Sequence, residues 1–298
     1  MRAQDAFSAC HPLINFLYFA LVLFFSMCLL HPVSLAISLL CAFAYAGALK
    51  GGKAVRISLR CLLPMMLLAA VVNPAFNHAG ITILTYLPSG NPLTLESILY
   101  GIAAAVMLAA VVLWFLCCTA VLTADKFVYL FGRVIPVCSL LLSMTLRFIP
   151  KFKMQFAQVQ EAQKCIGRDV ESGSLLRRMK LAVTMFSMMI TWSMETAIET
   201  ADSMKSRGYG LPGRTAFSIY RFDRRDRLVL LWLAGCGLYL LLGWMAGGLF
   251  WQYYPVVKGA LTGILPISLQ AVYLALCLTP LILNAKEERK WQSLQSNS

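Results

Sequence analysis

Hydrophobic and polar positions divide the chain into long apolar runs and one mixed segment. The apolar runs cover residues 13–30, 33–49, 61–76, 97–124, 228–248 and 264–284, and none contains Asp, Glu, Lys or Arg. A helix needs about 20 apolar residues to cross the ~30 Å hydrocarbon layer, whereas barrel strands alternate apolar and polar positions over ~10 residues. The pattern therefore predicts an all-α integral membrane protein with about six transmembrane helices.

The first two runs are separated only by His31 and Pro32. Proline removes a backbone donor and disrupts a helix, so residues 13–49 form either two short spans joined by a tight turn or one kinked helix. The sequence leaves both alternatives open.

The mixed segment, residues 125–227, places charged residues among apolar ones at helical spacing. This pattern is typical of amphipathic helices at a surface or against a partner. Pro136 suits the first turn of one such helix, and Pro150 is expected to kink or break it. A second long helix is predicted from about Leu175 to Ser206.

The formal charge of +13 is distributed unevenly along the chain. With six spans, 25 of the 26 Lys and Arg residues fall on one side of the membrane, and only Lys258 falls on the other. Excess positive charge marks the cytoplasmic side, so both termini and the mixed segment are expected to be cytoplasmic in a multi-pass plasma-membrane protein. The expected surroundings are a lipid bilayer and no nucleic acid. Three regions are predicted: N-terminal transmembrane helices at 1–124, a cytoplasmic domain at 125–227, and a transmembrane helix pair with a cytoplasmic tail at 228–298.

The apolar runs lack the ionisable groups that ion-coupled transporters and membrane-embedded hydrolases place at membrane depth. No His or Cys cluster has metal-ligand spacing, and most of the ten cysteines lie in apolar runs, where they act as small hydrophobic residues. Neither a metal nor a cofactor is expected.

The second long helix carries two further features. Its methionines, together with Trp192, form either an adaptable partner surface or an ordinary core stripe. Glu195, Glu199 and Asp202 share one helix face, as an electrostatic stripe or as acid–base groups. Gly208 suits the left-handed position after a helix end, which leaves Arg207 projecting from the last turn or compensating the helix dipole.

Three motifs in this segment resemble those of one transporter family. Residues 145–150 read TLRFIP, residues 161–169 read EAQKCIGRD, and residues 201–209 read ADSMKSRGY. They are similar to S-L-R-F-I-P, A-Q-x-A-R-G-x-D and A-M-x-x-R-G-Y of the T component, the EcfT/CbiQ-type transmembrane coupling protein of energy-coupling factor transporters. In the first coupling motif, Ile166 stands where the family has arginine, so this site docks either through apolar contact or through Arg168 on a shifted turn.

The resemblance implies a non-catalytic subunit that joins two ATP-binding-cassette ATPases to a small membrane S component, which binds a vitamin or a transition-metal ion. The implied ATPase-coupling residues are Cys165, Ile166, Gly167, Arg168, Ser206, Arg207 and Gly208. Arg147 and Pro150 would mark the start of the coupling helices. Met185, Met188, Met189 and Trp192 are predicted to contact the S component.

Two alternatives belong to other classes. A self-contained secondary transporter or channel would need polar groups or broken helices at membrane depth, for which Asn73-Pro74 is the only weak candidate. A membrane-bound enzyme would use Glu195, Glu199 and Asp202 with Arg207.

Overall fold

The computed structural model describes residues 5–77, 80–86, 92–132, 135–168, 174–211, 220, 222–259 and 263–296. The helices are α1 (Pro12–Cys28), α2 (Pro32–Phe76), α3 (Leu95–Val121), α4 (Ala124–Gly132), α5 (Pro136–Cys165), α6 (Leu175–Ser206), α7 (Arg224–Met245) and α8 (Ile264–Ser296). Two small antiparallel hairpins pair β1 (Ile83–Tyr86) with β2 (Pro92–Thr94) and β3 (Trp251–Gln252) with β4 (Lys258–Gly259). The predicted all-α class is confirmed.

The chain forms two compact units. One contains residues 1–123 and 220–298, and the other contains residues 124–219. The predicted first and third regions thus fall into a single unit, except for Ala124, which belongs to the other.

Residues 13–49 form two helices, α1 and the first part of α2, and both helices begin in the same way. His11 and His31 each precede a proline, and each accepts a hydrogen bond on Nδ1 from the backbone amide two residues later, at 3.3 Å. Proline fits the first helical turn, since its missing N–H would have no partner there. The His-Pro pair at 31–32 therefore starts a new helix instead of kinking an old one.

Helix α2 has a break of its own at Gly51, whose backbone is non-helical with φ 74° and ψ 168°. Glycine tolerates this positive φ because it has no Cβ. The break divides α2 into two apolar helices. With α1, α3, α7 and α8 they supply the six predicted apolar helices, although Pro12–Cys28 and Arg60–Phe76 are shorter than 18 residues.

Helices α1, α2, α3, α7 and α8 share one core, whose buried polar groups bond to one another. Trp114 donates from Nε1 to the Ser38 hydroxyl at 3.0 Å, and the Ser38 and Ser26 hydroxyls lie 2.9 Å apart. The Tyr18 hydroxyl donates to the Cys277 carbonyl at 3.1 Å. Unpaired polar groups are costly in an apolar interior, so these pairs fix how the membrane helices meet.

The second unit consists of α4 packed on α5 and α5 packed on α6. Helix α5 runs for 30 residues with Pro150 inside it. A kink or a break was predicted at Pro150, and the break is wrong: the ring removes one backbone hydrogen bond, and the remaining turns hold the helix together. Arg147 and Pro150 lie in the middle of α5, and their role at the entry to the coupling helices stays a prediction.

Candidate functional site

The C-terminal ends of α5 and α6 have the same backbone geometry. At the α5 end, the Arg168 amide donates to the Gln163 carbonyl and the Gly167 amide donates to the Lys164 carbonyl, both at 2.9 Å. At the α6 end, the Tyr209 amide donates to the Met204 carbonyl and the Gly208 amide to the Lys205 carbonyl, both at 3.0 Å. This pair of bonds defines the Schellman motif, which satisfies carbonyls left open at a helix end.

Both ends reverse at a glycine in the left-handed region. Gly167 has φ 75° and Gly208 has φ 77°, a conformation that costs other residues a clash between Cβ and the backbone. The residue before each glycine is nearly superimposable in its dihedrals: φ −89° and ψ 9° for Ile166, φ −84° and ψ 9° for Arg207. Position by position, Ile166 therefore corresponds to Arg207.

The matched backbones carry different side chains. Arg207 is exposed at the α6 end, where Ser206 precedes it and donates its hydroxyl to the Ser203 carbonyl at 2.9 Å. Ile166 is 68% exposed at the α5 end, where Cys165 precedes it. An exposed guanidinium can form bidentate, charge-assisted bonds, whereas isoleucine can only bury apolar surface.

The turn at the α5 end is not shifted relative to the α6 end, so Arg168 lies at a different position from Arg207. It follows Gly167 and corresponds to Tyr209 of the other end. Its exposed guanidinium therefore leaves the α5 end from a different position. Asp169, the last residue of the first motif, lies outside the described residues.

Helices α5 and α6 run antiparallel where they meet. The rings of Phe152 and Trp192 meet edge to face at 5.3 Å between centroids, and Gln163 donates from Nε2 to the Met188 sulfur at 3.8 Å. A later α5 residue thus contacts an earlier α6 residue. The α5 end follows directly after this contact, whereas α6 extends 14 residues beyond Trp192, about 21 Å at 1.5 Å per residue.

The four residues predicted to face an S component divide between two environments. Met185 and Met189 are buried at 2% and 8% exposure, whereas Met188 is 39% exposed and Trp192 is partly exposed. Met185 and Met189 thus lie on a largely buried stripe of α6, whereas Met188 and Trp192 keep more accessible surface.

An apolar groove along α5 and α6 was not predicted. One part has a volume of about 400 Å³ and is lined by Phe152, Phe156, Phe186, Met189 and Ile190, among others. A second part of about 320 Å³ shares Phe156, Phe186 and Met189. Phe186 and Ile190 each follow Met185 or Met189 by one residue, and this second apolar stripe on α6 is the sequence signal from which the groove could have been predicted.

The carboxylates of Glu195, Glu199 and Asp202 are exposed on α6. Within the described part of the chain, no hydrogen bond or ion pair to these three groups is found, and no group of three or more His, Cys, Asp or Glu residues could hold a metal ion. Asn73, the candidate polar group at membrane depth, lies in the last turn of α2. It donates to the Ser97 carbonyl at 2.9 Å and to the Tyr254 hydroxyl at 3.2 Å.

Comparison with known proteins places these features in a family. An energy-coupling factor transporter transmembrane protein EcfT from Lacticaseibacillus paracasei is 35% identical over 106 residues, which are 35% of this chain and 38% of that protein. EcfT 1 from Listeria monocytogenes is 36% identical over 104 residues, 35% of this chain and 37% of the relative. The matched stretches thus span less than two fifths of these curated relatives.

The family match is longer than these pairwise matches. Residues 11–217 match the family CbiQ, described as cobalt transport protein. The matched range includes α1 to α6 and both glycine-terminated helix ends. The chain is a multi-pass membrane protein, and it belongs to the CbiQ cobalt transport protein family.

Proposed function

We propose that this chain is the transmembrane coupling subunit of an ATP-driven importer of the energy-coupling factor type. The observation that carries the proposal is the pair of matched helix ends around Ile166 and Arg207. Two ends with one backbone geometry suit two ATPase subunits with similar grooves. The membership in the CbiQ family and the EcfT names of the relatives support the same assignment.

In this proposal each helix end docks into one ATPase. Arg207 forms charge-assisted bonds with carboxylates or carbonyls in the groove of its ATPase. The α5 end relies on Ile166, with Arg168 as a second contact. Because α5 and α6 pack on each other through Phe152 and Trp192, movement of one ATPase is passed to the other helix.

A small membrane S component binds the substrate, a vitamin or a transition-metal ion, and docks on the middle of α6. Met188 and Trp192 belong to its contact surface, together with Phe186 and Ile190, which are 67% and 44% exposed. Met185 and Met189 are largely buried but line the groove beside Phe186, and in this proposal they complete the contact surface.

The second unit and both termini are cytoplasmic in this proposal, and the chain performs no catalysis of its own. Helix α6 is long and apolar enough to be a candidate span by composition. However, its uncharged stretch between Lys180 and Glu195 has 14 residues, about 21 Å, which is short of the ~30 Å hydrocarbon layer. This length favours a helix at the cytoplasmic surface.

The test is reconstitution. The tagged full chain is purified with the proteins that accompany it, and liposomes are prepared with the complex or with the chain alone. ATP-dependent uptake that requires two cassette ATPase subunits and a small membrane protein is expected. Uptake by the chain alone, driven by an ion gradient, would instead establish a secondary transporter. Substrate turnover that is lost on Glu199→Gln without any ATPase present would establish an enzyme.

A further inference from the structure

The first turns of α6 carry exposed apolar and basic side chains together. Leu175, Leu176 and Met179 are 76%, 81% and 65% exposed. The cations Arg177, Arg178 and Lys180 are also exposed. No Asp or Glu occurs between residues 175 and 194. We call residues 175–183 the basic segment of α6.

The apolar side chains of this segment share one side of the helix. At 100° per residue, Leu175, Leu176, Met179 and Val183 fall within an arc of about 100°. Leu181 and Met185, which are buried, fall on the opposite side. The exposed stripe is therefore a second apolar face, distinct from the buried stripe at Leu181 and Met185, and it continues along α6 into Phe186 and Ile190 of the groove.

The distribution of charged residues along α6 indicates which kind of surface this apolar face binds. Its first turns carry three cations and no anion, whereas residues 195–206 carry three anions, Glu195, Glu199 and Asp202, against the single cation Lys205. A protein partner that bound only the apolar side chains would not require cations in the first turns and carboxylates in the later turns. Leucines beside arginines and lysines are the combination found where an amphipathic helix inserts its apolar face between anionic lipid headgroups.

We propose that the basic segment of α6 binds the anionic phospholipid surface of the cytoplasmic leaflet. Leu175, Leu176 and Met179 insert at the boundary between headgroups and acyl chains. At 100° per residue, Arg178 and Lys180 flank this apolar stripe on its two sides and contact lipid phosphates, whereas Arg177 lies on the opposite side of the helix and adds to the positive charge near the surface. The acidic turns that follow are repelled by the same surface, so α6 is held at its beginning and its C-terminal end at Arg207 stays directed to the cytoplasm. This inference rests on the chain being a membrane protein with a cytoplasmic second unit, and it does not require ATPase binding.

Hydrogen–deuterium exchange of the full chain in nanodiscs tests the proposal. The discs contain phosphatidylcholine alone or mixed with phosphatidylglycerol. The first amides of a helix lack an intrahelical partner, and in α6 the Arg178 amide is the first to donate back, to the Ser174 carbonyl at 3.1 Å. Exchange at residues 175–177 therefore reports directly on lipid contact. A cation near an anionic membrane surface strengthens binding about fivefold. We therefore expect exchange of the segment to slow by at least an order of magnitude in phosphatidylglycerol, and the difference to shrink in high salt.

Two triple variants make the test specific. Arg177→Gln, Arg178→Gln and Lys180→Gln together should abolish the phosphatidylglycerol effect. Lys286→Gln, Arg289→Gln and Lys290→Gln remove the same charge from α8 and should leave it intact. Unchanged exchange in α3 serves as the folding control, and Arg177→Lys with Arg178→Lys should retain the effect.

Three results would overturn the proposal. One is equal exchange in the two lipids, and another is a lipid effect that survives the first triple variant. The third is protection of residues 175–183 that appears only when an ATPase or a small membrane protein is added, because the face would then belong to a protein partner. Failure of the lipid test leaves ATP-dependent uptake unaffected, so it is distinguishable from failure of the proposed coupling function.

Discussion

The ends of α5 and α6 can be compared almost atom for atom along the backbone. Each closes with the same two hydrogen bonds and a glycine near φ 75°. They differ in the residue before that glycine, which is Ile166 in α5 and Arg207 in α6. They also differ in how far the last turns are packed against the rest of the unit. Gln163 at the α5 end is buried and bonded to Met188, whereas the last turns of α6 are mostly exposed. The same backbone geometry with different side chains indicates two docking ends of similar shape and different affinity for an ATPase.

The largest expected effect comes from Arg207→Ala. Removing one partner of a buried charge-assisted contact costs ~2–5 kcal/mol, or roughly thirtyfold or more in affinity. We expect ATP-dependent uptake to be lost in proteoliposomes. Arg207→Lys should recover only part of it, because an ammonium lacks the planar fork of a guanidinium. Lys205→Ala is the matched control on the same turn, and a loss of uptake equal to that of Arg207→Ala would mean that general positive charge is what matters.

Arg168→Ala should have an intermediate effect. Its guanidinium is exposed at the α5 end, but it occupies the position of Tyr209 and not that of Arg207. Uptake should fall less than in Arg207→Ala, and high salt should mimic the variant because exposed charge pairs are screened. A loss as large as that of Arg207→Ala would show that Arg168 supplies the arginine contact of the first end.

Ile166→Ala should have a smaller effect still. The side chain is 68% exposed in the free chain, and burying a whole isoleucine contributes about 1.5–3 kcal/mol. Truncation to alanine keeps part of that surface. Retention of the ATPases on the purified chain should therefore decrease slightly, and Ile166→Leu should restore it. Complete loss of both ATPases would reverse the proposed order of the two ends.

Gly208→Ala and Gly167→Ala should perturb each end locally by the smallest amount. A side chain at positive φ costs roughly 1–2 kcal/mol. A Cβ on Gly208 would lie 3.1 Å from Cδ1 of Leu211, whereas one on Gly167 would meet nothing within 4 Å. Amide exchange at Tyr209 in the first variant should therefore increase somewhat more than exchange at Arg168 in the second. A larger increase at Arg168 would argue against the contact with Leu211.

The fold class and the α6 boundaries were predictable because long apolar runs and glycine-terminated helices depend on local sequence. The uninterrupted path of α5 through Pro150 was not predictable, since neighbouring turns and the packing of Phe152 on Trp192 maintain a helix that lacks one hydrogen bond. The sequence also left open whether Met185 and Met189 lie in a core stripe or on a partner surface, and in the structure both are largely buried. Two apolar stripes on one helix look alike in sequence, and only the position of α5 decides which of them becomes core.

The correspondence of Ile166 with Arg207 was predictable from motif alignment, and the backbone hydrogen bonds give it a physical basis. The difference in how the two helix ends are packed was not predictable from the sequence, because it depends on where α5 and α6 contact each other.

The most direct test of unequal docking ends is a titration of the ATPase subunits that co-purify with the tagged chain against the chain in nanodiscs. Wild type, Arg207→Ala and Ile166→Ala are compared by their dissociation constants. We predict that Arg207→Ala weakens binding by roughly thirtyfold or more, and that Ile166→Ala weakens it by clearly less. Equal dissociation constants for the two variants, or weaker binding by Ile166→Ala, would contradict the account.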